Sequence, residues 1–183
     1  MSIESTLVIT RLTPRSVALL QLHPAGGRED IVPLVAGVAT DTDASNESGQ
    51  ARQMFSVSPS EWLLMNYPLH ELRRRLGERT GRGLMRLTDV SAAFISLRVE
   101  GTGAREVLAA DIGAPWMPQR GKPGQYVRTR LGQVEVVLHC LGEEIFELHV
   151  DRSLADYLEG WLAARNESPA KRPMPTRPVP TRH

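Results

Sequence analysis

Gly101 and Gly103, in "VEGTGAREVL", lie between a strand pattern and a helix pattern, where backbone amides can cradle a phosphate. The surroundings argue against that chemistry. A dinucleotide fingerprint needs a third glycine in the spacing GxGxxG, and position 106 is Glu, whose charge in the first helical turn opposes an anion. The histidines and the cysteine are the other candidates. His139 and Cys140 are adjacent in a strand pattern and point to opposite faces, so they form neither a zinc cluster nor a Cys-His dyad locally. A turn centred on Gly142 and Glu143 places His139 opposite Phe146 and Val136 opposite His149. Both histidines then read as surface or edge residues, with His23 or His70 as remote partners if a site forms at all. Asp41, Asp43 and Ser45 alternate as in a calcium loop, but glycine at the sixth position and glutamate at the twelfth are missing, which leaves a solvated loop. Arg73, Arg74 and Arg75 point about 100° apart on a helix, so they read as a solvated face rather than a phosphate clamp.

These residues must be positioned by elements that the pattern makes visible. "LVITRL" and "SVALLQLH" read as strands separated by Thr13 and Pro14; residues 24–50, rich in Gly, Pro, Asp, Asn and Ser, read as long loops. Strands at 53–57 and 61–65 flank the turn "SPSE", and a helix opening at Pro68 aligns Leu69, Leu72 and Leu76 before stopping near Gly77 or Gly81. Asp89 forms an Asx-turn with the Ser91 amide and leads into a strand whose Ala93, Ile95, Leu97 and Val99 face the core. The glycines at 101 and 103 then reverse the chain into a helix aligning Ala104, Val107, Leu108 and Ile112. "GQVEVVLHC" and "EEIFELHV" form a hairpin, followed by a helix N-capped by Ser153 with Leu154, Leu158, Trp161 and Leu162 on one face. Strands preceding helices, with hairpins throughout, give an α+β class in which helices pack on one side of antiparallel sheets, as two small intimate subdomains.

The 183 residues suffice for a sizeable core, and 41% hydrophobic with 23% charged residues is the composition of a soluble globular protein. No apolar run approaches the roughly 20 residues of a membrane span, and Glu4 stands where a signal peptide is basic, so a cytoplasmic protein with no membrane partner is expected. The single cysteine forms no intrachain disulfide. Net charge is +1, but the segment from Asn166 onward carries +3 and residues 1–165 carry −2, which excludes a nucleic-acid footprint on the body. Five prolines and little apolar bulk make 166–183 a disordered Pro/Arg-rich tail following a domain at 1–165; "PTRP" at 175–178 is a possible ligand motif, but a dispensable tail is the simpler reading. No catalytic constellation emerges from the residues themselves.

"SPSEWLLM", "LTDVSAAFISLRVEGTGAREVLA" and "VDRSLADYLEGWLAA" resemble, in order and spacing, the gamma subunit family of bacterial heterotetrameric sarcosine oxidases, over roughly residues 53–165. That family typically reads "GPDEWLLL", "DVSHxRxxLRxSGPxAxxLL" and "RSFAxYxWxWL". Trp62 falls on the first motif. Asp89, Val90 and Ser91 match DVS, Leu97 and Arg98 match LR, and Gly101 and Ala104 match GPxA; Arg152, Ser153, Ala155 and Trp161 fall on the last motif. Ser58, Ser60, Ala92 and Thr102 depart from it.

The resemblance implies a fold like the folate-binding aminomethyltransferase of the glycine cleavage system. Where that enzyme places its catalytic aspartate, "QVEVVL" offers only Glu135, read as solvent-facing, and "GKPGQY" lacks the cysteine and glutamate of the stand-alone folate-binding proteins. The implied role is a non-catalytic gamma subunit, with no catalytic, cofactor or metal residues of its own. The implied complex oxidises sarcosine to glycine with oxygen and tetrahydrofolate, giving hydrogen peroxide and 5,10-methylenetetrahydrofolate. FAD, FMN, NAD, zinc and tetrahydrofolate are then expected in the partner alpha, beta and delta subunits, and Trp62, Asp89, Ser91, Arg98, Gly101, Ala104, Arg152, Ser153 and Trp161 are expected to be structural. The alternatives are a stand-alone folate-binding or degenerate aminomethyltransferase-like protein, and an adaptor acting through the tail.

Overall fold

Alternation of apolar side chains builds two antiparallel sheets, and in the computed structural model, which describes residues 7–23, 52–80, 85–112 and 122–167, the four strands of one follow one another along the chain, between the first strand and the last four of the other. The elements are β1 (Val8–Leu12), β2 (Val17–Leu22), β3 (Gln53–Ser58), β4 (Glu61–Met65), α1 (Leu69–Thr80), β5 (Met85–Asp89), β6 (Phe94–Glu100), α2 (Ala104–Ile112), β7 (Tyr126–Leu131), β8 (Val134–Gly142), β9 (Ile145–Asp151) and α3 (Ala155–Glu167). One sheet runs β1-β6-β9-β8-β7 and the other β3-β4-β2-β5. The class is α+β.

Each sheet buries one face under helix. Ile95, Leu97 and Val99 of β6, with Phe146, Leu148 and Val150 of β9, pack against Ala104 and Leu108 of α2 and Leu158 and Leu162 of α3. Each fully buried leucine or phenylalanine there contributes roughly 2 kcal/mol. Ala18, Leu20, Leu64 and Met85 of the second sheet pack against Leu72 and Leu76 of α1. The opposite faces of the two sheets meet each other: Val17, Phe55, Leu63 and Met65 come from one, Val137 from the other, with Tyr126 and Phe94 alongside. The order of layers is helix, sheet, sheet, helices.

Several local expectations are corrected. Of the two stops expected for α1, the helix passes Gly77 and ends at Thr80, next to Gly81, because an exposed glycine costs only about 1 kcal/mol in a helix anchored by Leu72 and Leu76. Strands β5 and β7 were not foreseen. Each is short and half-buried, and each is fixed mainly by its partners β2 and β8. Ala93 lies exposed in a 3₁₀ turn, Ser91–Ala93, ahead of the strand. Asp151, not Ser153, caps the last helical segment: its carboxylate accepts from the Ser153 amide at 2.8 Å and hydroxyl at 2.5 Å, across a 3₁₀ turn at Arg152–Leu154 that leaves Leu154 42% exposed. The expected loops at 24–50, including Asp41, Asp43 and Ser45, and the tail beyond Glu167 lie outside the described residues.

The "GTG" loop has the reversal geometry expected of it, with φ of 120° at Gly101 and 90° at Gly103. Its amides are taken from within. Gly101 N donates to Glu144 O at 3.2 Å, and Arg105 N donates to the Glu144 carboxylate at 3.0 Å. The tip of the β8–β9 hairpin thus caps α2 and occupies the amides a phosphate would need. Arg105 reaches back to Glu143 O at 2.9 Å. Glu144→Ala is therefore expected to lower the unfolding free energy by about 1 kcal/mol; an unchanged urea midpoint would refute the capping role.

Candidate functional site

The motif residues take up distinct places. Asp89 accepts from the Ser91 amide at 3.0 Å, the foreseen Asx-turn, and from its hydroxyl at 2.6 Å; these hydrogen bonds hold the Asp89 carboxyl below the usual aspartate range. The Ser91 oxygen accepts from Val17 N at 2.9 Å, tying the turn to β2. Arg152 donates to Ala92 O at 2.8 Å and Phe94 O at 3.2 Å, clamping the start of β6 to the end of β9. Trp62 packs on the cluster around Leu20 and Leu64. Ala104, the first residue of α2, is fully buried. Trp161 lies over the β7–β8 turn: a Cβ built on Gly132 would fall 2.8 Å from its ring, and Arg165 covers the ring at 4.8 Å. Asp111 joins this group, accepting from Gly132 N at 2.9 Å and pairing with Arg165 at 3.2 Å. These residues are spread over both sheets and do not converge on one pocket.

Polar chemistry gathers instead between the sheets. Residues of β6, β8 and β9 that point away from the helices include Ser96, His139, Glu147 and His149, and they face Phe55 of β3. The Phe55 ring lies 5.4 Å from that of His139, 5.0 Å from that of His149 and 4.9 Å from that of Tyr126. The histidines are not surface or edge residues: His139 is 8% exposed and His149 2%. Two departures from the expected hairpin cause the difference: the turn is centred on Glu143 and Glu144 rather than on Gly142 and Glu143, and a β-bulge lies between Cys140 and Gly142. Their net effect is a register shift of one, so His139 lies opposite Glu147 and Val137 opposite His149. A one-residue slip moves side chains between faces, and here it brings both histidines onto the same face. His70 and His23, the remote partners considered, are exposed; the third group is Glu147.

The geometry fixes the protonation of this cluster. Burial lowers the His139 pKa to about 4, and burial together with the positive charge of a neighbouring His139 lowers that of His149 to about 3, so both are neutral near pH 7. Burial pushes the Glu147 carboxyl up, opposed by Arg98 at 3.7 Å and a hydrogen bond from Gln53. His149 Nδ1 is 2.8 Å from Ser96 Oγ, while His149 Nε2 and His139 Nδ1 are buried with no hydrogen-bond partner. One donor atom from each of His139, Glu147 and His149 lies within 4.8 Å of the others. A cleft of about 290 Å³ opens beside His149, lined also by Val57, Val90, Phe94, Arg128 and Asp151. Glu135 sits at this cleft, exposed as expected and paired with Arg128 at 2.8 Å. Pattern reading missed the cluster because the bulge that assembles it leaves no mark in the alternation of β8.

The chain resembles a chain of the heterotetrameric sarcosine oxidase from Corynebacterium sp. U-96 in complex with pyrrole 2-carboxylate, with a TM-score of 0.70 and 19% identity over 94% of this chain and 90% of that one. At that identity the likeness shows a shared fold. No curated protein matches the sequence at a significant level. The model of the sarcosine oxidase, gamma subunit family matches residues 26–168, well over half of the sequence. No described helix is long and apolar enough to cross a membrane. The chain belongs to the sarcosine oxidase gamma subunit family.

Proposed function

We propose that this chain is the gamma subunit of a heterotetrameric sarcosine oxidase and takes part in its chemistry by assembly rather than by an active site of its own. The family match over residues 26–168 carries this reading, supported by a fold shared along nearly the whole length of a chain from such an oxidase. In this reading the alpha, beta and delta subunits hold FAD, FMN, NAD, zinc and tetrahydrofolate, and the complex converts sarcosine and oxygen to glycine and hydrogen peroxide while passing the one-carbon unit to tetrahydrofolate. Trp62, Asp89, Ser91, Arg98, Gly101, Ala104, Arg152, Ser153 and Trp161 then shape the docking body. Several of them act through the contacts already described: the Asp89–Ser91 turn, the Arg152 clamp and the Trp161 lid. The proposed compartment is the cytoplasm, and the Pro/Arg-rich residues after Glu167, where α3 ends, form a dispensable appendage; Asn166, expected in the tail, accepts from Leu7 N at 3.1 Å and belongs to the body.

Affinity purification of the tagged chain from its native cell is expected to recover a large flavoprotein together with sarcosine oxidase activity. Recovery without one would refute the assignment. Titration of the purified chain with tetrahydrofolate separates the stand-alone folate-binding alternative, which requires tight binding by this chain alone.

A further inference from the structure

The buried cluster between the sheets has the parts of a cation site. His139 and His149 each hold a buried, unpartnered imidazole nitrogen, and one donor atom of each ring lies within 4.8 Å of a Glu147 carboxylate oxygen; a transition metal takes such neutral nitrogen and anionic oxygen donors. The Ser96 hydroxyl can accept the Nδ1 proton of His149, which fixes the ring and leaves a lone pair on Nε2. Around zinc, donor atoms about 2.0–2.1 Å from the ion stand roughly 3.3 Å apart. Closing from the observed spread of up to 4.8 Å takes small side-chain movements on a rigid sheet. Arg98, 41% exposed and at the rim, can release Glu147 toward the ion and turn to solvent. The cleft beside His149 gives access and space for a water as fourth ligand.

We propose that His139, Glu147 and His149 bind one divalent transition-metal ion of the zinc class, reached through the cleft between the two sheets. The neutral imidazoles at pH 7 fit this role, since a ligand nitrogen must not carry a proton. The ion would lock β8 to β9 next to Phe55 and so brace the contact between the sheets. The site stands on this chain's own residues and does not depend on the assembly reading.

The test uses the full chain, stripped with a chelator and titrated with zinc ion by calorimetry, with long-range ¹H–¹⁵N spectra of its five histidines. The expected result is one ion per chain at micromolar affinity or tighter, with coordination shifts on two imidazoles assigned to His139 and His149. Glu147→Gln should weaken binding at least tenfold, and His70→Gln should leave it unchanged. No uptake at about 100 µM zinc, an affinity far too weak for a built site, would overturn the proposal. So would shifts confined to His23, His70 and His183. The spectra of the unaltered chain decide the matter even if a variant fails to fold.

Discussion

Gly132→Ala is expected to destabilise the chain by about 3 kcal/mol, from a left-handed backbone and a steric conflict together. Gly132 and Gln133 form the two-residue β7–β8 turn with φ of 53° and 76°. This is the doubly positive φ geometry that matches the twist of a tight hairpin. A methyl group at position 132 would meet three atoms of the Trp161 ring at 2.8 Å. That ring cannot move freely, because Arg165 lies over it and is itself anchored on Asp111. The urea midpoint should fall with little change in slope. Gly160 offers the opposite case in the same helix as Trp161: a Cβ there meets nothing within 4 Å. Gly160→Ala should stabilise by up to about 1 kcal/mol through helix propensity alone. Adding Trp161→Ala to Gly132→Ala should relieve part of the Gly132→Ala penalty; strict additivity would show that the ring is not the obstacle.

The second large effect is acid sensitivity of the metal-free chain. His139 and His149 have folded-state pKa values near 4 and 3, below the 6.5 of an exposed imidazole. The unfolded state therefore binds more protons below pH 6.5, and stability is fully present above that value and lost as pH falls toward 4 and 3. At pH 5 the loss is on the order of 2 kcal/mol per imidazole. Glu147 works in the opposite direction, since its raised pKa favours the folded state as the carboxyl protonates. Arg98 pairs with Glu147, and Glu61, Arg128, Glu135 and Asp151 line the cleft beside His149. Urea midpoints in chelator at pH 7 and pH 5 should differ strongly for the natural sequence and much less for His139→Gln/His149→Gln. Equal pH dependence in both would place the titrating groups elsewhere.

The outer layers were readable because each is a local pattern with one answer. Ile95, Leu97 and Val99 alternate, Leu72 and Leu76 recur at helical spacing, and the reversal at Gly101 and Gly103 has its own chemistry. The inner surface was not readable in that way. Phe94, Ser96 and Arg98 look like the solvent side of a strand, and only the second sheet converts that side into an interior. The site depends further on one extra residue in the hairpin. Leu141 is accommodated in the bulge; without that bulge the turn at Glu143 and Glu144 would set His139 opposite Leu148 rather than Glu147. The family motifs report the frame around this interior: the Asp89 turn, the Arg152 clamp and the Trp161 lid all lie at strand ends. Only Arg98 among the motif residues reaches inside, to Glu147.

The strand order β1-β6-β9-β8-β7 also has a temporal meaning. Strand β9, flanked by β6 and β8, is the middle of its sheet yet the last of its strands to leave the ribosome. Until Asp151 has been synthesised, β1 with β6 and β7 with β8 are two separate ribbons, each lacking the neighbour that joins them. Such long-range closure is slow compared with forming a local hairpin. A nascent chain halted before residue 145 therefore holds four of five strands but no continuous sheet, and the layer under α2 and α3 cannot close until β9 follows.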